Sequence, residues 1–374
     1  MRKLFGKIHR WISIPLGIIL SVICFTGATL VFEKEITQWL NPHIYKVSIP
    51  EKGAALLTPS ELVACLKTQV ADSLRLSALQ YGGTANEPVM VTFQNVSRKS
   101  LSVNPYTGEV NGWTKSYPFF QTMRKLHRWL LNPPLQKGAY STGKVIVGIS
   151  TLLMVVILVS GLVIWWPRSR KALRNRLQVS CTKGWRRFWY DSHVTLGFYS
   201  TLFLLVMALT GLTWSFGWYR SFAYGLFGAT ASSSTSPHSH SASQEAESMR
   251  AKGKRNTETD YTAWDKAFQH VQAQYSGYAS LRIEKNKIQV NQSRYLRRTD
   301  TVEFNPANGE PTRIIPSTET PRSQKLRSWF YAFHTGSWGG IYTKVLYFLA
   351  AFIGGVLPLS GYYLWWKKKR RPTR

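Results

Sequence analysis

Residues 9–32 read HRWISIPLGIILSVICFTGATLVF, and from Trp11 to Phe32 no side chain is charged. As a helix this run rises about 33 Å, at roughly 1.5 Å per residue, enough to cross a hydrocarbon core of ~30 Å. Three further runs have the same character: Val145–Trp166, Val194–Tyr219 and Val345–Trp366. A soluble chain rarely makes four, so the sequence points to an integral membrane protein, an α-helical four-span bundle. The first run follows MRKLFGK, as a signal peptide would. It lacks a small-x-small cleavage pattern, and the third run repeats its layout inside the chain, so it is expected to be a retained helix.

Short-flank Lys and Arg set the orientation. Arg2, Lys3, Lys7 and Arg10 precede the first run, and KKKRRPTR ends the chain. The loop PRSRKALRNRLQVSCTKGWRRFWYD carries eight basic residues and one acid. With four spans all three lie on one side, so both termini are expected in the cytoplasm of a bacterial cell, in a multi-pass inner-membrane protein. The net charge of +30 is then partly a topology signal and an affinity for the lipid bilayer's anionic headgroups. No nucleic acid is expected as a partner, because much of the basicity flanks spans. Trp165–Trp166 and Trp365–Trp366, each followed by basic residues, read as interfacial anchors. Cys24, Cys65 and Cys181 fall in three compartments, so no intramolecular disulfide is expected.

The chain also reads as an internal duplication. Each span holds a hydroxyl residue followed by glycine: Thr26–Gly27, Ser160–Gly161, Thr210–Gly211 and Ser360–Gly361. His9 precedes Gly27 by 18 residues, and His193 precedes Gly211 by the same 18. VNPYTGE (103–109) is matched by FNPANGE (304–310). The Ser/Thr-Gly pairs are read first as close helix packing, a reading compatible with a flat cofactor between helices, which would also need small residues. Each outside segment reads as α+β. In the first, Thr58, Pro59 and Glu61 open a helix, and alternating stretches around PVMVTF and KSLSVNPYTGEV follow as strands. Gly108 and Gly309 are read as turn residues with positive φ.

The division is a cytoplasmic N-terminus (1–10), span one (11–32), an outside domain (33–142), span two (143–166) and a basic cytoplasmic loop (167–192). Span three (193–219), a second outside domain (220–342), span four (343–366) and a basic tail (367–374) follow. Within the second domain, 229–256 is a Ser-rich, low-complexity insert expected to be disordered. Its His238 and His240 are read as linker residues, since two ligands without a third make no defined metal site.

KIHRW…FTG, NPYTGE, KLHRWL, SGLVIWWP, FHTG and SGYYLWW, in that order, resemble the PepSY-associated transmembrane family over nearly the whole chain. The insert and DSHVTLG, standing where the first half has KIHRWISIPLG, depart from it. The resemblance implies two periplasmic PepSY-like domains. It also raises the expectation of an inner-membrane ferric-siderophore reductase carrying haem b, although other members of the family have no assigned activity.

Four of eight histidines lie at span ends or just before spans: His9, His127, His193 and His334. Topology divides them into His9 with His193 inside and His127 with His334 outside, and each pair is equivalent under the duplication. Two neutral imidazoles facing each other are what axial ligation of haem iron requires. Two haem b groups are therefore expected, one near each membrane face. Arg10 and Arg128, in the repeated HRW, suit pairing with haem propionates, while Arg10 equally suits the positive-inside rule. A copper or zinc site lacks a Cys, Met or carboxylate beside the pairs. The expected oxidoreductase would pass electrons to a periplasmic ferric siderophore or other ferric complex. With no G-x-G-x-x-G after a strand and no flavin motif, its donor would be quinol or a separate protein. The competing expectation is an envelope binding or regulatory protein, or an accessory subunit of an iron transporter, without redox activity.

Overall fold

Helix begins ahead of the apolar stretches that announce it, by nine residues in the first and third, and in the third it stops at Ser215, short of the expected end at Tyr219. The computed structural model describes residues 1–50, 55–71, 73–136, 139–230, 261–295 and 298–369. His238, His240 and nearly all of the Ser-rich insert lie outside the described residues. In chain order the elements are α1 (Arg2–Val31), α2 (Glu33–Leu40), α3 (Pro42–Tyr45), α4 (Pro59–Gln69), β1 (Leu76–Gly82) and β2 (Val89–Phe93). Next come β3 (Leu101–Val103), β4 (Val110–Trp113), α5 (Pro118–Trp129), α6 (Thr142–Trp165), α7 (Arg170–Arg176), α8 (Trp185–Ser215) and α9 (Gly217–Leu226). Then follow α10 (Thr262–Gln274), β5 (Ser280–Glu284), β6 (Lys287–Asn291), β7 (Thr299–Phe304), β8 (Pro311–Ile315), α11 (Arg322–Thr335) and α12 (Gly340–Lys369).

Four helices, α1, α6, α8 and the segment containing α12, are long and apolar enough to cross a membrane. The first and third begin at Arg2 and Trp185, nine residues before their uncharged runs. Boundaries drawn at residues 11 and 193 mark where charge stops rather than where helix starts. Lys and Arg are good helix formers whose long stems let a helix continue from water into an apolar medium. His9 and His193 therefore both stand on helix.

These helices form one compact unit, Met1–Ile36, Ser116–Phe227 and Arg327–Arg374. Helix α1 packs on α6 and α12, and α8 packs on the same two. Large apolar side chains face outward, with Ile18 67% and Leu202 66% exposed, while Ser160 and Ser360 are buried along the seams. That is the inverse of a water-soluble core and suits a lipid surround. Helix α5 lies against α1 and α6.

The second unit, Thr37–Lys115 and Gly228–Leu326, is built on one antiparallel sheet in the order β4-β3-β2-β1-β5-β6-β7-β8. The two segments read from sequence as separate α+β domains are thus joined edge to edge, with Leu79 opposite Ile283 where β1 meets β5. Alternation along the strands sends Leu79, Val91, Ile283 and Ile288 into a core shared with Leu62 of α4 and Phe268 of α10. Helix α4 opens on the capping box of Thr58 and Glu61, and Asp265 of α10 accepts from the backbone N–H of Ser60 at 2.8 Å. Gly108 and Gly309 close matching turns at φ 74° and 75°, where a side chain would be strained.

Candidate functional site

The four histidines singled out by sequence are all seated in the same way. His9 of α1 places Nδ1 3.0 Å from the Ile157 carbonyl and 3.2 Å from Ser160 Oγ, both on α6. His127 of α5 places Nδ1 2.9 Å from the Ile23 carbonyl and 3.5 Å from Thr26 Oγ1, on α1. His334 of α11 places Nδ1 2.9 Å from the Met207 carbonyl and 3.2 Å from Thr210 Oγ1, on α8. His193 of α8 places Nδ1 2.8 Å from Ser360 Oγ of α12.

These contacts decide where the imidazole proton sits. A carbonyl oxygen only accepts, so Nδ1 donates at His9, His127 and His334. The Ser360 hydroxyl gives its own proton to the Leu357 carbonyl at 2.8 Å, so its oxygen accepts from His193. Each ring therefore carries its proton on Nδ1 and keeps the Nε2 lone pair free. A backbone or carboxylate partner on the far nitrogen is the usual support of a metal-binding imidazole.

The residue after each hydroxyl gives the ring its room. A Cβ on Gly27 would lie 2.9 Å from His127 Cε1, and one on Gly211 3.1 Å from His334 Cε1. The distances are 3.3 Å for Gly161 and His9, and 3.6 Å for Gly361 and His193. Sequence reasoning read Ser/Thr-Gly as helix packing or cofactor contact and missed this role. The signal that would have revealed it was the common count of one such motif per span and one span-associated histidine per motif.

The histidines meet in two pairs. His9 and His193 have ring centroids 6.5 Å apart with planes at 89°; His127 and His334 are 6.2 Å apart with planes at 53°. A metal bonded at about 2 Å to one nitrogen of each of two imidazoles holds their centroids roughly 6 Å apart. On α1, His9 and the Gly27 seat of His127 are 18 residues apart, about 27 Å of helix. The pairs thus occupy opposite ends of the bundle.

A cavity of about 430 Å³ opens beside His9 and His193, walled by apolar side chains such as Met154, Leu158, Leu204 and Leu357. At the other pair, Trp214 stands edge-on to His334 at 5.2 Å, and Arg124, one turn before His127, pairs with Glu33 beyond the end of α1. Arg10 lines the cavity and lies 5.8 Å from the Trp11 ring. Arg128 stacks on its own neighbour Trp129 at 4.4 Å. Among the described residues no three His, Cys, Asp or Glu converge as a metal site. The donor set at each end is thus a pair of imidazoles, which fits a planar metallomacrocycle that supplies the remaining ligands itself.

Residues 7–368 match the family model of the PepSY-associated TM region, nearly the full chain, and the chain belongs to that family. No curated protein matches the sequence.

Proposed function

We propose that this member of the PepSY-associated TM family is a bacterial inner-membrane oxidoreductase. In this reading His9 with His193, and His127 with His334, each hold one haem b, and electrons cross from the cytoplasmic side to a ferric siderophore outside. The observation that carries the reading is the pairing of four imidazoles, each fixed through Nδ1 with Nε2 left free. When bound, haem supplies reversible one-electron chemistry, tuned by its axial ligands and surroundings. The chain's own part is positional. Backbone carbonyls and helix hydroxyls set the tautomer, glycines admit the rings, and largely apolar walls line the inner cavity. The separation of about 27 Å between seats is close to a hydrocarbon thickness of ~30 Å, which suits one site near each face. A ferric chelate is a fitting acceptor because hard oxygen ligands hold Fe(III) far better than Fe(II). The donor is assigned to quinol or a protein partner, and the side of entry rests on the basic flanks.

The test is the absorption spectrum of detergent-purified protein from haem-replete cells. Sharp b-type α and Soret bands on reduction with dithionite are expected. A colourless preparation would overturn the proposal and favour a binding or regulatory role.

A further inference from the structure

The cavity beside His9 and His193 has an unbalanced wall. Among the described residues its charged lining is Arg10, Arg176 and Lys368, with no Asp or Glu. Its remaining titratable groups are the two histidines, Tyr190 and Tyr362. The acid nearest in sequence to His193, Asp191, is already engaged by Arg187 at 2.7 Å and by the Ser180 backbone N–H at 3.3 Å. Arg176 is partly buried while Arg10 and Lys368 are exposed, so the cavity wall carries positive charge with no lining carboxylate among the described residues to offset it.

Arg176 is the most firmly placed of the three. It is the last residue of α7, and its carbonyl accepts from Thr195 Oγ1 at 3.1 Å, two residues after His193 on α8. Its Nη1 donates to the final carbonyls of α6, Ile164 at 3.0 Å and Trp165. Both bonds use Nη1, so the fork of Nη2 and Nε is left for another acceptor, and guanidinium forks match carboxylates. The ordinary role of such an arginine is to cap a helix C-terminus. That role does not require the side chain to line the cavity, which Arg176 does together with Arg10 and Lys368.

We propose that Arg176 binds a propionate carboxylate of the haem held by His9 and His193, with Arg10 and Lys368 completing the anion site. The inference rests on the haem reading above. It adds a residue on the cytoplasmic loop that neither the family match nor the histidine pattern indicates.

The test uses the full-length holoprotein and two variants, Arg176→Gln and Arg176→Lys. The glutamine variant is expected to lose the inner haem on gel filtration, with haem per protein falling towards half. In the fraction of inner haem that survives, the midpoint potential should fall, because an unpaired propionate stabilises the ferric state. That potential should also become dependent on pH across the neutral range, since the propionate is no longer held ionised. The lysine variant, which keeps the charge but not the fork, should retain haem and shift the propionate bending band in resonance Raman spectra. A capping role alone would move neither the pH profile nor that band. If both variants keep wild-type haem, potential and propionate band, the proposal fails while the haem reading stands. The same holds if the glutamine variant does not fold and the lysine variant keeps the wild-type band. Loss of co-purifying anionic phospholipid with unchanged haem would assign the site to a headgroup and also overturn it. A wild-type protein without haem overturns the parent reading instead.

Discussion

At His127 the ring lies so close to Gly27 that an added Cβ would sit 2.9 Å from Cε1. The ring cannot simply swing away, because Nδ1 is bonded to the Ile23 carbonyl of the same helix. Gly27→Ala should therefore displace His127, at the cost of about 1–3 kcal/mol typical of overpacking. Gly361→Ala meets His193 only at 3.6 Å, ordinary van der Waals contact. We expect haem content to fall in the first variant and hold in the second; equal loss in both would sever the link between glycine spacing and the site. Replacing the histidines themselves makes a sharper test of the pairs. His9→Ala and His193→Ala should remove the same haem and halve haem per protein. His127→Ala and His334→Ala should remove the other. Should His9→Ala and His334→Ala deplete one and the same species, the pairing as stated is wrong.

At the scale of elements, two segments are set by local chemistry. Helix α4 starts where Thr58 and Glu61 cap each other, with the Thr58 N–H 2.8 Å from the Glu61 carboxylate. Thr58→Ala should cost about 1 kcal/mol, read as a lowered melting temperature of the purified chain. The loop around α7 is set by charge, and its basic residues place it on the cytoplasmic side in our reading. Reporter fusions after Arg176 should score cytoplasmic and fusions near Gly83 periplasmic. A periplasmic score after Arg176 would reverse the direction of electron flow proposed above. Helices α5 and α11 were grouped by sequence with the outside domains. All of α5, and α11 from Arg327 onward, instead belong to the helical unit, because their histidines dock on the seams of α1 and α8.

For the whole molecule, the sheet unit stands or falls as one body. Leu79 and Ile283, both fully buried, face each other where β1 meets β5. Ile283→Ala removes buried methyl groups from a core that both halves of the chain share. The expected loss is about 2–5 kcal/mol, measured by denaturation and by faster proteolysis of strands from both halves. If only β5–β8 became susceptible, the two halves would be folding independently. In vesicles, electron delivery to an external ferric chelate should stop in all four histidine variants, since each removes one of two carriers in series.

Much was legible in the sequence because it is enforced locally. Hydrocarbon demands uninterrupted apolar helix, so four runs of that kind announce four long helices. The basic flanks, the Thr58 cap and the Gly108 and Gly309 turns each depend on a few adjacent residues. His9 and His193 were also readable, because their 18-residue spacing to Gly27 and Gly211 recurs, whereas His127 and His334 share only their order, after NPxxGE and before a span. What only the tertiary structure decided was partnership. Alternation in β5 tells which side chains are buried, β1 breaks it with Ala78 and Leu79 both buried, and an unpaired strand edge carries no address. The joining of those edges into one sheet depends on a core that residues distant in the chain build together. In the same way, Thr26–Gly27 could seat any flat group until the fold brought His127 against it. Nothing near His127 in the sequence specifies that its Nδ1 will find the carbonyl of Ile23. That bond follows from the packing of α5 on α1, a balance of long-range contacts that no local pattern encodes.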